Sequence, residues 1–319
     1  MTLAWGIAGT GRIARDVGAV IAAHPQHRVA AVGSRELARA AGLAAALDAV
    51  GIHGSYAELV EDPAVEAVYV ATPHAGHAEI VEAALSAGKA VLCEKPLTHR
   101  LADTERLAAL AASTGSFLME AMWMRFNPLI QQLARLVREG QLGEITALTA
   151  AFGFHAPYDP AGRLWDPQLG GGALLDIGIY TVDFARLLLG DPVELQAGGT
   201  LAPSRVDAES TLALTWPGGA RALLHQSLLT RLPGTAQILG TAGWAEVGPS
   251  FHAPTRLLVQ TGEQQQLHEQ HDRNAGFIGE IEEVARCVRD GLGESTVMPL
   301  SETLATMRWL DTARRQLGA

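Results

Sequence analysis

Lysine is almost missing from this chain of 319 residues. Lys89 and Lys95 are the only two, and the other 22 of its 24 basic side chains are arginines. Arginine stays protonated and can hold an anion but cannot shuttle a proton. Lysine can, once burial or a neighbouring cation lowers its pKa. Cysteine is equally scarce. Cys93 and Cys287 stand far apart in apolar contexts, which excludes a disulfide framework or a cysteine metal site and fits a reducing compartment. No apolar run reaches the ~18 residues of a membrane span. A net charge of −10 argues against sequence-independent nucleic-acid binding, which needs basic surface to displace counterions. With 18% charged and 48% hydrophobic residues, the chain is not disordered and can bury sizeable cores. The N-terminus enters an apolar strand pattern at Leu3, with no basic region or cleavage signal before it. The expectation is a soluble cytoplasmic protein.

The length points to two domains. The first 120 residues alternate short apolar runs with helical patterns. Leu3–Ala8, Val29–Val32, Ala67–Ala71, Ala90–Cys93 and Phe117–Met119 read as strands. Between them lie helical stretches at Ile13–Ile21, Glu36–Leu47, His77–Ala87 and Leu101–Ala112, and a short helix opened by a Ser55/Glu58 capping box. Such alternation predicts a doubly wound α/β domain with a parallel sheet covered on both faces. After residue 121 the rhythm changes. Asn127 caps a helix with Pro128 at its first position, and Gly140 ends it. A strand over Ile145–Phe154 precedes a loop rich in Pro, Gly and Asp. Gly170-Gly171-Gly172 then leads into a helix of about five turns ending at Gly190. Short strands with turn signals fill 193–268, as in an antiparallel or mixed sheet of an α+β domain, and two helices finish the chain.

Gly9-Thr10-Gly11-Arg12-Ile13-Ala14 is G-x-G-x-x-A, placed between a strand and a helix. Gly9 serves the tight turn, Gly11 lets the backbone approach a pyrophosphate, and Ala14 lets helix and strand pack closely. The helix N-terminus favours the phosphate charge. The second strand ends in Gly33-Ser34-Arg35, where an enzyme selecting NAD would place an acidic residue for the ribose hydroxyls. Ser34 and Arg35 instead suit a 2′-phosphate, so NADP is expected in preference to NAD. The alternative is that Arg35 only opens a solvated helix. The P-loop pattern is missing, since Gly88-Lys89 is followed by Ala90 and preceded by Ala83 where a glycine is required. A Tyr-x-x-x-Lys pair is missing too, because Leu85 and Val91 stand four residues before the two lysines.

Glu94-Lys95-Pro96 and Thr72-Pro73-His74 lie at carboxyl ends of predicted parallel strands, where such sheets bind ligands. On the later helix, Asp176, Tyr180 and Asp183 share one stripe, with Gly178 between the first two leaving room for a ligand. Asp183 is read as a structural salt-bridge partner.

Five features resemble the glucose–fructose oxidoreductase / inositol dehydrogenase (Gfo/Idh/MocA) family. They are the G-x-G-x-x-A start, Ala71-Thr72-Pro73 with His77, Gly88-Lys89 through Glu94-Lys95-Pro96, Glu120–Phe126, and Gly170–Tyr180. Tyr180 stands where many members carry His. With Glu120–Phe126, this is similar to the branch of dimeric dihydrodiol and NADP-dependent D-xylose dehydrogenases. The resemblance implies a Rossmann domain at 1–120, an α+β domain at 121–300 whose open sheet serves a homodimer or homotetramer, and a terminal helix, 301–319, packed back on the first domain. It implies that Lys95, Asp176 and Tyr180 surround the nicotinamide as catalytic residues. Cofactor contacts would come from Gly9, Thr10, Gly11, Arg12, Ile13, Ser34, Arg35, Thr72, Pro73, His77, Glu94, Lys95, Trp123 and Arg125. A Lys95 cation would lower the tyrosine pKa from about 10. Phe154, His155, Arg163, Trp165 and Phe277 are candidate substrate contacts, and His74 with His77 is too small a set for a metal. The expected activity is NAD(P)-dependent hydride transfer to or from a hydroxyl-bearing carbon of an aldose, polyol or cyclic trans-diol. Two alternatives are a catalytically silent NADP-binding regulator and a sugar–sugar oxidoreductase that keeps its cofactor.

Overall fold

The computed structural model describes residues 2–319. The chain divides into two compact units. One runs to Met122 and takes in Phe277–Leu304; the other comprises Trp123–Gly276 and Ala305–Ala319.

In the first unit, β1 (Leu3–Ala8), β2 (His27–Gly33), β3 (Gly51–His53), β4 (Ala67–Val70), β5 (Ala90–Glu94) and β6 (Leu118–Ala121) form one sheet in the order β3-β2-β1-β4-β5-β6. Every pairing is parallel. Helices α1 (Arg12–Ala23), α2 (Leu37–Ala46), α3 (Tyr56–Glu61), α4 (His77–Ser86) and α5 (Leu101–Thr114) connect the strands. Because both faces are covered, β1, β4 and β5 are buried at every position, which accounts for their continuous apolar runs. One face packs Val68, Val70, Val91 and Cys93 against Ile80, Val81 and Leu107. The strand order reverses between β1 and β4, and that switch point is where open α/β sheets bind ligands.

In the second unit, Asn127 caps α6 (Pro128–Arg138) by accepting the Leu129 N–H at 2.9 Å. Strand β7 (Ile145–Gly153) leads through a long loop to α7 (Ile179–Leu189). Strands β8 (Glu194–Leu201), β9 (Asp207–Thr215), β10 (Arg221–Ser227), β11 (Ala236–Gly240), β12 (Gly243–Val247), β13 (Arg256–Thr261) and β14 (Gln264–Glu269) join β7 in the order β14-β13-β12-β11-β7-β10-β9-β8. Only β7 and β10 pair in parallel, so the sheet is mixed and mostly antiparallel. The helix expected after the glycine triplet does not begin as an α-helix. Leu174–Gly178 form a π-turn that runs into α7.

The chain then returns to the first unit with α8 (Ala275–Arg289), which buries Ile281, Val284 and Cys287. His24, at the end of α1, meets Glu282 of α8 at 3.3 Å. Helix α9 (Leu300–Leu317) closes the chain. Among the described residues no helix is long and apolar enough to cross a membrane.

Candidate active site

The turn from β1 to α1 is built by its glycines. Gly9 has φ +118°, and a Cβ there would lie 2.5 Å from the Ala71 carbonyl oxygen, so no other residue fits without moving β4. Gly11 is the N-cap of α1, no side chain caps the first turn, and a Cβ at Gly11 would meet nothing within 4 Å. An open glycine face over an uncapped helix N-terminus is a cradle for a phosphate, so the residues present fit a dinucleotide. Ala14 is fully buried behind it, Ile13 is half-buried, and Arg12 is exposed and 4.0 Å from Asp16. At the end of β2, buried Ser34 accepts the Glu36 N–H at 3.3 Å, while Arg35 is exposed.

The two lysines have different fates. Lys89 donates to the Val65 carbonyl at 2.7 Å and to that of Asp62 at 3.0 Å, so its charge closes a backbone turn. Lys95 sits half-buried just past the end of β5, before Pro96. Beside it, Glu94 accepts the hydroxyl of fully buried Tyr69 at 2.6 Å. His77 is also fully buried. Its ring nitrogens meet the carbonyls of Thr72 at 2.9 Å and Pro96 at 3.0 Å. The imidazole thus joins the loops after β4 and β5, with Pro73 exposed on the first. Burial pushes its pKa down, opposed by these backbone contacts.

In the second unit the π-turn carries Asp176, and α7 carries Tyr180. Tyr180 is 6% exposed, and its hydroxyl oxygen accepts the Trp123 indole N–H at 2.7 Å. A donor aimed at a phenol oxygen favours negative charge on it. Asp176 accepts Arg163 Nη1 at 2.8 Å; the arginine is 55% exposed and the carboxylate 9%. An aromatic wall surrounds the tyrosine. The His252 ring lies 5.2 Å from it and stacks on Phe152 at 4.2 Å, and Phe152 is itself 6.1 Å from Tyr180. Phe152 and Phe154 line a cavity of about 590 Å³ with Arg231, Leu232 and Pro249.

Arg125 is buried and grips Asp183 through Nε at 2.9 Å and Nη2 at 2.7 Å, with both side chains 3% exposed or less. Asp183 therefore sits in a buried ion pair with Arg125. Gly178 leaves no room for a ligand. A Cβ there would meet Leu174 and Gln226 at 3.2–3.3 Å, so this glycine lets α7 approach β10. Trp165 is 3% exposed in a cluster with Ala156, Ile177 and Leu228, and its N–H is taken by the Pro157 carbonyl at 2.9 Å. His155 is exposed, its Nδ1 3.0 Å from the Leu229 carbonyl. Phe277, in the first unit, is 8% exposed.

Residues 3–122 match the family model GFO_IDH_MocA, described as an oxidoreductase family with an NAD-binding Rossmann fold, and residues 130–246 match the GFO/IDH/MocA C-terminal domain. The chain belongs to the Gfo/Idh/MocA oxidoreductase family. This family member is 37% identical over 328 residues to mouse trans-1,2-dihydrobenzene-1,2-diol dehydrogenase, covering 100% of this chain and 98% of the relative. Its fold is similar to an aldose-aldose oxidoreductase from Caulobacter crescentus solved with glycerol. There the TM-score is 0.90 at 26% identity, covering 99% of this chain and 97% of the other. It is also similar to KijD10, a 3-ketoreductase from Actinomadura kijaniata solved with NADP and TDP-benzene, with TM-score 0.86, 28% identity and 99% and 98% coverage.

Two groups, one in each unit, carried no legible signal. His252 is a lone histidine in a loop, and only the fold brings its ring to Phe152 and Tyr180. Glu280, with two further glutamates close by on α8, is fully buried.

Proposed function

We propose that this oxidoreductase is an NADP-dependent dehydrogenase acting on a hydroxyl-bearing carbon of an aldose, polyol or cyclic trans-diol. The observation that carries the reading is the Tyr180 hydroxyl, held by the Trp123 N–H at 2.7 Å, with Asp176 four residues earlier. A bound nicotinamide supplies the hydride acceptor. Gly9, Thr10, Gly11, Arg12 and Ile13 hold the pyrophosphate, and Ser34 and Arg35 take the 2′-phosphate. Thr72, Pro73, His77 and Glu94 shape the strand-end loops beside it. Tyr180 and Lys95 share the proton of the substrate hydroxyl as hydride leaves the adjoining carbon, and the Trp123 N–H favours the phenolate form of Tyr180 that can accept that proton. Asp176, fixed by Arg163, orients the substrate. The apolar walls of the cavity at Phe152 and Phe154 suit the carbon face of a sugar or diol ring. The full-length likeness to the mouse diol dehydrogenase and the likeness to the aldose oxidoreductase both support this substrate class. Two free, buried cysteines suit a reducing cytoplasm.

Steady-state rates with D-xylose, D-glucose and a trans-dihydrodiol, each with NADP⁺ and NAD⁺, test the reading. Reduction of NADP⁺ by at least one of them is expected. Lys95→Met and Tyr180→Phe should each lower kcat by about 10²–10⁴-fold with cofactor binding retained. Unchanged turnover in either variant removes that residue from the mechanism, and no turnover with any polyhydroxyl substrate sinks the assignment.

A further inference from the structure

Glu280 is a buried ionisable group that this mechanism does not use. It lies on α8, it is 0% exposed, and neither of its carboxyl oxygens has a hydrogen-bond partner. An ionised carboxylate without a donor is one of the costliest things a core can hold. Its charged neighbour makes matters worse, because Glu94 carries the same sign. The Tyr69 hydroxyl decides how the pair divides its charge. It gives Glu94 a 2.6 Å bond, the length of an O–H donated to a carboxylate. That bond favours the ionised form of Glu94, whereas Glu280 has no donor to favour its own.

We infer that Glu280 is a positioning residue for the Glu94-Lys95-Pro96 turn, holding a proton that lets Glu94 stay charged in place beside it. The groups facing this centre are Glu94 and Cys93 on β5, Tyr69 on β4, and buried Glu120 on β6, whose Oε1 accepts the Leu97 N–H at 2.8 Å. The neighbouring acids of α8 are engaged elsewhere, Glu282 with His24 and Glu283 with Arg286. Burial and the Glu94 charge both push the Glu280 carboxyl up, and burial with the same charge pushes Tyr69 up, so neither is a ready source of negative charge near neutrality. When Glu280 does lose its proton, a second negative charge is added to a buried region that already feels the charge of Glu94. Repulsion then displaces Glu94 and with it the adjoining Lys95. The link to the cofactor rests on the dinucleotide reading above; the retained proton does not.

Glu280→Gln is neutral at every pH and close in shape. The full-length chain is unfolded in urea from pH 5 to 9, and NADPH binding is followed by its fluorescence over the same range. Wild-type stability should fall as pH rises, because the folded chain keeps a proton that the unfolded glutamate releases. NADPH affinity should fall up to about tenfold per pH unit once that proton leaves. Glu280→Gln should flatten both slopes and match the wild-type NADPH Kd within about twofold at the acid end, since it mimics the protonated side chain. Identical stability slopes in the two proteins overturn the retained proton. Divergent stability slopes with identical NADPH profiles overturn the positioning role. If Glu280→Gln does not fold, Glu94→Gln decides: removing the charge that raises Glu280 should shrink the alkaline loss of stability, and an unchanged slope overturns the inference. Wild type that binds no nicotinamide nucleotide at any pH overturns the dinucleotide reading and the positioning role, while the stability slopes still decide the proton.

Discussion

Arg35 shows how much one side chain decides. Ser34 is turned inward to the Glu36 N–H at 3.3 Å, and Glu36 is engaged by Arg39 at 2.9 Å, which leaves the Arg35 fork exposed at the end of β2. A charge-assisted bond to phosphate is worth about 1.5–3 kcal/mol, and solvent around an exposed arginine reduces it. Arg35→Ala should therefore raise the NADPH Kd about tenfold and leave the NADH Kd within about twofold. Fluorescence titration with both nucleotides measures this. Equal losses for both would mean that Arg35 only supports the fold of the turn. The place of Arg35 at the end of β2 was legible because the residue that follows a Rossmann second strand has a fixed address, and its role is what the titration tests. Gly178 misled for the opposite reason: a glycine looks the same in sequence whether it makes room for a ligand or for a packed Gln226.

At the scale of the element, the π-turn before α7 is held by a residue far away in sequence. Asp207, the first residue of β9, accepts the Leu174 N–H at 2.6 Å. It is 1% exposed, and burial pushes its carboxyl up to about 7, against the pull of Leu174 and the charge of Arg314. The folded chain keeps this proton up to about pH 7, whereas an unfolded aspartate releases it near 3.8. The associated stability is complete below the unfolded value and is lost as pH rises through the folded one, by at most about 4 kcal/mol. Asp207→Asn should keep an acceptor for Leu174 and remove that slope, so its urea midpoint between pH 4 and 8 should vary less than that of wild type. Parallel curves would mean that Asp207 titrates alike in both states. Elements whose cause is local were legible in sequence. Ser55 caps α3 by accepting the Glu58 N–H at 3.2 Å, and Asn127 caps α6. Strand β3 has no hydrophobic signature and exists because β2 pairs with it; the π-turn exists because Asp207 and the sheet accept it. Neither cause lies within the segment's own residues. The same holds for the Arg163–Asp176 and Trp123–Tyr180 contacts, which span 13 and 57 residues.

At the scale of the whole molecule, the sheet of the second unit raises the question of assembly. One row of side chains crosses it through register: Leu267, Leu258, Glu246, Gln237, Thr149, Leu223 and Ala213 pair in succession from β14 to β9. Leu239 lies on the same face, two residues from Gln237. Leu223 is 58% exposed, Leu267 46% and Leu239 38%, while Leu148, Ile238 and Leu224 on the other face are buried. A sheet that packs one face and leaves leucines spread over the other has a surface suited to association. A second copy of this chain is the simplest occupant, because an isologous pair buries the same leucines twice for one set of residues. Leu223→Asp with Leu239→Asp places charges on that face without entering a core, so the melting temperature of each subunit should change little beyond the loss of association. Sedimentation should find wild type as a dimer or tetramer and the double variant as a monomer. A wild type that sediments as a monomer at every concentration would overturn assembly through this sheet. A double variant that remains oligomeric would move the contact to another face.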